Sequence, residues 1–145
     1  RAIDHLEKLA GAAPSGHNGS LGGDIQIATR IAKLRLEAEA LETTELRILA
    51  DIAKGRPAGP QTSLTKLLSS EIHQRIDGLA MDLHGYDGLQ LPTVRPLYGN
   101  EAPPAIGDED MQVAAARYLN SRAWTVFGGS SEVQKNIIAK TVLRL

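Results

Sequence analysis

The 145-residue sequence contains no cysteine, one tryptophan, one phenylalanine and three tyrosines. Without cysteine it can form no disulfide framework, cysteine-ligated zinc site or iron–sulfur cluster, and it carries no thiol nucleophile. An excess of either charge is also lacking, because 16 Lys and Arg stand against 17 Asp and Glu and give a formal charge of -1. Dedicated nucleic-acid binders usually show a strong basic excess, so we expect no nucleic-acid partner.

Long apolar runs are missing as well, and we therefore expect no membrane-spanning segment. The apolar fraction of 42% is nevertheless large enough to build a core, and the length suits one domain. No signal-peptide pattern follows Arg1, which together with the lack of cysteine favours a cytoplasmic location. Since the first residue is Arg rather than Met, we expect the chain to begin inside a longer gene product.

Apolar residues recur at helical spacing along most of the chain. This spacing predicts helices over residues 2–10, 24–54, 60–83, 108–123 and 131–143. Asp24 and Ser130 stand where they can cap the second and the last of these helices. The Gly-rich residues 11–23 and the Pro-rich residues 86–107 predict loops.

The apolar stripes of the two long helices, 24–54 and 60–83, indicate the architecture. Long antiparallel amphipathic helices of this kind pack side by side as a bundle. We predict an all-α fold, an up-and-down four-helix bundle with long antiparallel helices and a short C-terminal helix, forming a single domain over residues 1–145. The stripes exceed what one bundle of this size needs, so we also expect the chain to self-associate.

Several common catalytic patterns do not occur in the sequence. It has no Glu-x-x-His pair of the di-iron type, no phosphate-binding loop and no Gly-x-Ser-x-Gly elbow. Its four histidines are scattered without metal-binding spacing. We therefore predict no metal site.

One segment, residues 127–139, stands out and reads Phe-Gly-Gly-Ser-Ser-Glu-Val-Gln-Lys-Asn-Ile-Ile-Ala. Gly128 and Gly129 would let a ligand approach the backbone closely. The helix that starts after Ser130 would offer free N–H groups and its positive dipole end to a phosphate or an oxyanion. From the residues alone, two interpretations stay open: an ordinary helix cap after a glycine turn, or a ligand site.

This segment resembles the C-terminal signature of the acyl-CoA dehydrogenase family, over about thirteen consecutive positions. Residues 122–125, Arg-Ala-Trp-Thr, resemble the Arg-containing lead-in to that signature, and residues 66–88 resemble the family's helix that starts with Lys and ends in a Gly-rich turn. The helix order resembles the family's C-terminal four-helix bundle. The family's N-terminal helical domain and middle β-domain are absent from the chain, and its first bundle helix looks clipped at its start.

The resemblance implies a bacterial flavoenzyme of lipid metabolism, such as fatty acid β-oxidation, that uses FAD to desaturate an acyl-CoA thioester between its α- and β-carbons. It implies dimers or tetramers, either homo-oligomers or hetero-oligomers with a paralogous subunit, and an electron-transfer flavoprotein-like acceptor. It also implies site residues in this chain. These are Gly128 and Gly129 against the thioester, Ser130, Ser131 and Glu132 on FAD of the same subunit, and Asp82, Gly85 and Tyr86 on the adenine half of FAD in a neighbouring subunit.

The sequence departs from the family pattern at three places. Many members carry the catalytic Glu where this chain has Gly128, which cannot accept a proton, so we predict no catalytic residue within the chain. The loop at residues 14–21 lacks the family's pyrophosphate-binding Arg, with His17 as an uncertain substitute. Asp82 stands where Gln is common, and its negative charge disfavours a phosphate nearby. Together with the Pro-rich insert at 89–107, these departures favour an unusual subfamily, for example one acting on bulky sterol-side-chain or ring-bearing acyl-CoAs.

Three hypotheses follow for the function. In the first, the chain is the bundle of an acyl-CoA dehydrogenase whose base lies upstream of Arg1. In the second, it belongs to a non-catalytic subunit that works with a paralogous partner. In the third, it is a structural helical oligomerisation domain without a ligand. Under any of them, we expect the 145-residue chain by itself to lack dehydrogenase activity.

Overall fold

A computed structural model of the chain describes residues 1–16, 19–91, 107 and 109–145. Within these residues the chain forms five α-helices: α1 (Ala2–Ala12), α2 (Ile25–Ala53), α3 (Gln61–His84), α4 (Glu109–Ser121) and α5 (Ser131–Ile138). The predicted all-α fold is confirmed. None of the described helices is long and apolar enough to cross a membrane.

The ends of the helices follow local chemistry. The Asp24 carboxylate accepts hydrogen bonds from the backbone N–H of Gln26 at 2.7 Å and of Ile27 at 3.3 Å, so the predicted cap of α2 is confirmed. Ser130 likewise accepts from the N–H of Val133 at 3.4 Å and caps α5. Both caps satisfy N–H groups that the first helical turn leaves without partners.

Three predicted boundaries differ from the structure. Helix α1 runs through Gly11 to Ala12, and the loop after it contains a two-residue antiparallel pairing of β1 (Pro14–Ser15) with β2 (Gly19–Ser20). Helix α4 ends at Ser121, and the 3-10 turn Arg122–Thr125 follows it. Helix α5 gives way after Ile138 to a π-helical turn, Ala139–Leu143. For α4 and α5 the repeat of apolar residues continues while the backbone hydrogen-bond pattern changes, and periodicity cannot detect that change.

Helix α3 is the central element, because it packs against α1, α2, α4 and α5. The main core lies where α1, α2 and α3 meet. Leu6 of α1 and Leu79 of α3 are almost fully buried there, at 0% and 1% exposure. The core also contains Ile3, Ala10, Ile31, Leu34 and Leu83. Burying one such aliphatic side chain contributes about 1.5–3 kcal/mol.

The apolar stripe of α2 extends well beyond this core. Ile31 and Leu34 are buried, but Leu49 and Ile52 are 59% and 44% exposed. At about 1.5 Å per residue, α2 is about 43 Å long whereas α1 is about 16 Å, so α1 covers only the first half of the stripe. The second half of α2 therefore presents an apolar surface within the described structure.

Candidate functional site

The segment between the 3-10 turn Arg122–Thr125 and α5 forms a tight turn at two glycines. Gly128 has φ 68° and Gly129 has φ 98°, both in the left-handed region that side chains other than Gly disfavour. A Cβ at Gly129 would lie only 2.6 Å from Nε2 of Gln134, whereas at Gly128 the nearest atom would be Cε of Lys66, at 3.9 Å. The turn therefore needs glycine most strictly at residue 129.

Gln134 closes this turn onto α5. Its side chain is buried, and Nε2 donates a hydrogen bond to the Gly128 carbonyl at 3.1 Å. From the sequence we assigned Gln134 no role, although it is part of the quoted motif. Its position three residues after Ser131 was the available signal, because that spacing brings a side chain back over the start of its own helix.

Ser130, Ser131 and Glu132 lie together at the start of α5, as their adjacency requires. The pKa of Glu132 is held below its usual value, chiefly because its carboxylate accepts from its own backbone N–H and secondarily because it accepts from the Ser130 hydroxyl. The hydroxyl oxygen of Ser131 is buried and has no hydrogen-bond partner among the described residues. A buried polar atom without a partner is costly, and a ligand atom could satisfy it.

A row of three polar side chains on α3 holds the chain that leads into the glycine turn. We name Lys66, Ser70 and Gln74 the α3 donor row. Nζ of Lys66 and Oγ of Ser70 both reach the carbonyl of Trp124, each at 3.1 Å. Nε2 of Gln74 donates to the carbonyl of Ser121 at 3.0 Å. From the sequence we considered only the Lys of this row, as part of a resemblance, although a spacing of four residues places all three on one helix face.

Three further contacts hold the same segment in place. The ring of His73 on α3 stacks on Trp124, with ring centroids 4.5 Å apart and planes 19° apart. The Arg122 guanidinium lies 4.5 Å above the Tyr118 ring and donates to the backbone carbonyl of Gln74 at 3.1 Å. The segment from Ser121 to Trp124 is thus tied to α3 through both its backbone and its side chains.

The other predicted residues, Asp82, Gly85 and Tyr86, lie at the opposite end of α3. Asp82 is about 24 Å along the helix axis from Lys66. Gly85 has φ 58° and ends α3, and Tyr86 is 92% exposed. The predicted residues therefore form two groups that lie apart, one at each end of α3.

Asp82 is paired with a cation that we did not predict from the sequence. Nη2 of Arg30 on α2 lies 2.7 Å from Oδ2 of Asp82. Both residues line a groove of about 520 Å³ between α2 and α3, with Leu34, Gly78 and Tyr118 among its other walls. The charge of Asp82 is compensated by Arg30, so it disfavours a nearby phosphate less than the sequence alone indicates.

Other expectations fall outside the described structure or concern metals. His17 lies outside the described residues, and so do residues 92–106 of the Pro-rich insert. Among the described residues, no group of three or more His, Asp or Glu is arranged to hold a metal ion.

The chain is similar to several known proteins. A family model described as acyl-CoA dehydrogenase, C-terminal domain, matches residues 1–143. A curated relative from Mycobacterium tuberculosis, the acyl-CoA dehydrogenase IpdE1, is 33% identical over 108 residues, which is 70% of this chain and 24% of that protein. IpdE1 from Mycolicibacterium smegmatis is 38% identical over 85 residues, 59% of this chain and 18% of that protein. The chain thus spans about a quarter or less of the length of these relatives.

Two solved structures share the fold. An FAD complex of PigA superposes with a TM-score of 0.75 at 20% identity, covering 100% of this chain and 33% of that one. PigA with FAD and proline gives a TM-score of 0.74 at 21% identity, with the same coverage. Because the family model matches nearly the whole chain, the chain belongs to the acyl-CoA dehydrogenase family and corresponds to its C-terminal domain.

Proposed function

We propose that this chain is the C-terminal domain of an FAD-dependent acyl-CoA dehydrogenase that desaturates an acyl-CoA thioester between its α- and β-carbons. Because the chain spans about a quarter of its relatives, this activity belongs to a longer protein. The observation that carries the proposal is the glycine turn at residues 128–129, which presents backbone directly before the Ser130-capped start of α5. Such backbone suits close approach by a flat cofactor and a thioester.

FAD would be held at the start of α5 in this proposal. When bound, FAD supplies the acceptor for the hydride that leaves the β-carbon. The residues present fit such a group, because the buried Ser131 hydroxyl has no hydrogen-bond partner among the described residues and a polar atom of the cofactor would provide one. Ser130 and Glu132 would add contacts from the same helical turn, and the Gly128–Gly129 backbone would lie against the thioester.

The base that removes the α-proton is not supplied by this segment. Gly128 has no proton-accepting group, and Glu132 is a weak base because its pKa is lowered by its own backbone N–H and by Ser130. The base would therefore lie in another part of the longer protein or, in the alternative form of the proposal, in a paralogous subunit of a hetero-oligomer. The acceptor of the electrons would resemble an electron-transfer flavoprotein, and the setting would be the bacterial cytoplasm.

The second group of residues would meet the FAD of a neighbouring subunit. Gly85 and the exposed Tyr86 end α3, and Arg30 brings a guanidinium to Asp82 at the same place. We propose that Arg30 neutralises Asp82 beside the adenine half of FAD, so that this carboxylate does not repel the phosphates of the cofactor. The exposed second half of α2 would support the assembly that brings two subunits together.

Ser131→Ala in the full-length protein tests FAD binding at α5. Because the hydroxyl has no partner among the described residues, its removal should not lower the melting temperature of the apoprotein, whereas FAD affinity should fall, as measured by flavin absorbance after dialysis. Ser69→Ala, a hydroxyl deletion on α3, should change neither. Equal FAD affinity in Ser131→Ala and wild type would contradict the assignment.

Measurements of activity and of FAD binding distinguish the three hypotheses for the function. Reduction of an artificial electron acceptor, dependent on acyl-CoA, should occur with the full-length protein and not with the 145-residue chain plus FAD. A protein that binds FAD only after a paralogous partner is added would be the hetero-oligomeric form. A full-length protein that never binds FAD, with or without partners, would be a purely structural oligomerisation domain.

A further inference from the structure

The contacts of the α3 donor row point to a role in placing the glycine turn. We propose that Lys66 is a positioning residue, which, supported by Ser70 and Gln74, sets where the Gly128–Gly129 backbone lies relative to α3. This inference rests on the proposed function, because the turn is the backbone expected against the thioester. It assigns to residues far from the signature a part in the reaction that the signature alone does not reveal.

Lys66 is the main donor of the row to the Trp124 carbonyl, because it carries more donor hydrogens than Ser70. The Ser70 hydroxyl lies within reach of two carbonyls, that of Lys66 at 2.9 Å and that of Trp124 at 3.1 Å, but carries one hydrogen. It can therefore donate to Trp124 only when it releases its bond to its own helix. The Lys66 ammonium has three hydrogens and a full charge, so it can hold the Trp124 carbonyl continuously and with a stronger bond.

Trp124, which precedes the glycine turn, contacts α3 in two ways. Its carbonyl faces Lys66, and its indole ring stacks on His73. Nδ1 of His73 lies 3.0 Å from the Ser69 carbonyl and must donate to it, which fixes the orientation of the stacked ring. Only three residues then separate Trp124 from Gly128, so a shift of Trp124 passes directly to the glycine turn.

The far side of the turn is held independently. Gln134 donates to the Gly128 carbonyl from α5, and the Lys66 stem passes within van der Waals distance of the space beside Gly128. The turn is thus held on two sides. Lys66 and Trp124 connect it to α3, and Gln134 connects it to α5. A displacement of even 1 Å at a reacting centre can cost about a hundredfold in rate, so fixing this turn matters for catalysis more than for binding.

The test uses the full-length protein with Lys66→Met, Lys66→Arg and the control Lys8→Met, which alters an exposed lysine on α1. The Met variant keeps the stem beside Gly128 but removes the donor, and the Arg variant keeps a charged donor. Hydrogen exchange at the amides of Val126 and Phe127, which bond to the Ala123 carbonyl, reports the placement of the segment without requiring activity. Steady-state kinetics with acyl-CoA report its consequence.

In Lys66→Met we expect exchange at Val126 and Phe127 to be about fivefold faster, as the loss of one hydrogen bond implies. We expect kcat to fall roughly tenfold while KM changes by less than about twofold, with FAD content and the melting temperature close to wild type. Lys66→Arg should restore both readouts, and Lys8→Met should leave both unchanged. A merely structural lysine would lower the melting temperature without separating kcat from KM.

Unchanged exchange in Lys66→Met would overturn the inference, whichever way the activity falls. Faster exchange with an unaltered kcat would overturn it too, because the turn would then not need this placement. A wild-type protein that desaturates no acyl-CoA would instead refute the proposed function. The two failures are therefore distinguishable.

Discussion

The side-chain amide of Gln134 on α5 donates to the carbonyl of Gly128 across 3.1 Å, and it occupies the space that a Cβ at Gly129 would need. One side chain thus both closes the glycine turn and requires its second residue to be glycine. A side chain at residue 129 therefore has two costs: it displaces the Gln134 amide, and it strains the backbone at positive φ. Stability measurements can separate these two costs, because only the first depends on Gln134.

Gly129→Ala should destabilise the chain more than Gly128→Ala. At Gly129 the new methyl group would meet strain at φ 98° and displace the Gln134 amide, whereas at Gly128 it would meet only the strain of φ 68°. We expect a loss of about 2–4 kcal/mol at residue 129 and about 1–2 kcal/mol at residue 128. Urea unfolding followed by circular dichroism measures both.

Combining Gly129→Ala with Gln134→Ala identifies the part that comes from the displaced amide. In the Gln134→Ala background no amide needs to move, so Gly129→Ala should cost about 1 kcal/mol less than in the wild type. Strict additivity of the two substitutions would show that the backbone strain accounts for the whole effect. Gly128→Ala with Gln134→Ala is the matched control and should be closer to additive.

Ser130→Ala should remove a helix cap and release Glu132. The lost cap should cost about 1 kcal/mol, and the pKa of Glu132 should rise toward its usual value because the Ser130 hydroxyl no longer supports the carboxylate. NMR titration of the Glu132 side chain in the two proteins measures the second effect. Ser131→Ala, whose hydroxyl has no protein partner among the described residues, should leave this titration unchanged.

The pH dependence of this contribution has a definite sign. The folded-state pKa of Glu132 is depressed, so its contribution to stability is present above the unfolded-state pKa and is lost as the pH falls through the folded-state value. The stability difference between wild type and Ser130→Ala should therefore be largest near neutral pH and shrink in acid. A difference that stays constant down to the acid transition would contradict a role for Glu132.

Arg30→Met should weaken FAD binding far more than it weakens the fold. The Arg30–Asp82 pair is about half exposed, so its loss should cost less than about 1 kcal/mol of stability. In the assembled full-length protein, however, it would leave the Asp82 carboxylate uncompensated beside the cofactor. FAD titrations should show weaker binding, with partial recovery in Arg30→Met combined with Asp82→Asn. An equal FAD affinity in wild type and Arg30→Met would remove Arg30 from the site.

The exposed second half of α2 predicts that the chain self-associates at tens of micromolar, a prediction that no observation yet tests. Leu49→Glu places a charge on this apolar surface, next to Ile52, and should shift the equilibrium toward monomer. Ala40→Glu adds the same charge on the other side of α2 and should not. Sedimentation velocity measures the mass, and a wild-type chain that remains monomeric would contradict the prediction.

Local sequence patterns were sufficient to predict the five helices and two of their caps. The spacing of apolar residues identified α1 to α5, and Asp24 and Ser130 were recognised as caps because capping depends on atoms two or three residues away. The motif at 127–139 led to the family, and the turn at its two glycines follows from their freedom at positive φ. All of these features depend on short stretches of chain.

Contacts between side chains far apart in the sequence depend on how the helices pack. Lys66 reaches Trp124 across 58 positions and Arg30 reaches Asp82 across 52, and both contacts depend on how α3 is rotated and offset against its neighbours. The same packing leaves Leu49 exposed although its place in the apolar stripe predicts burial, because α1 is too short to cover it. A helical repeat specifies which face of a helix is apolar, whereas the lengths and offsets of the packed helices determine what that face contacts.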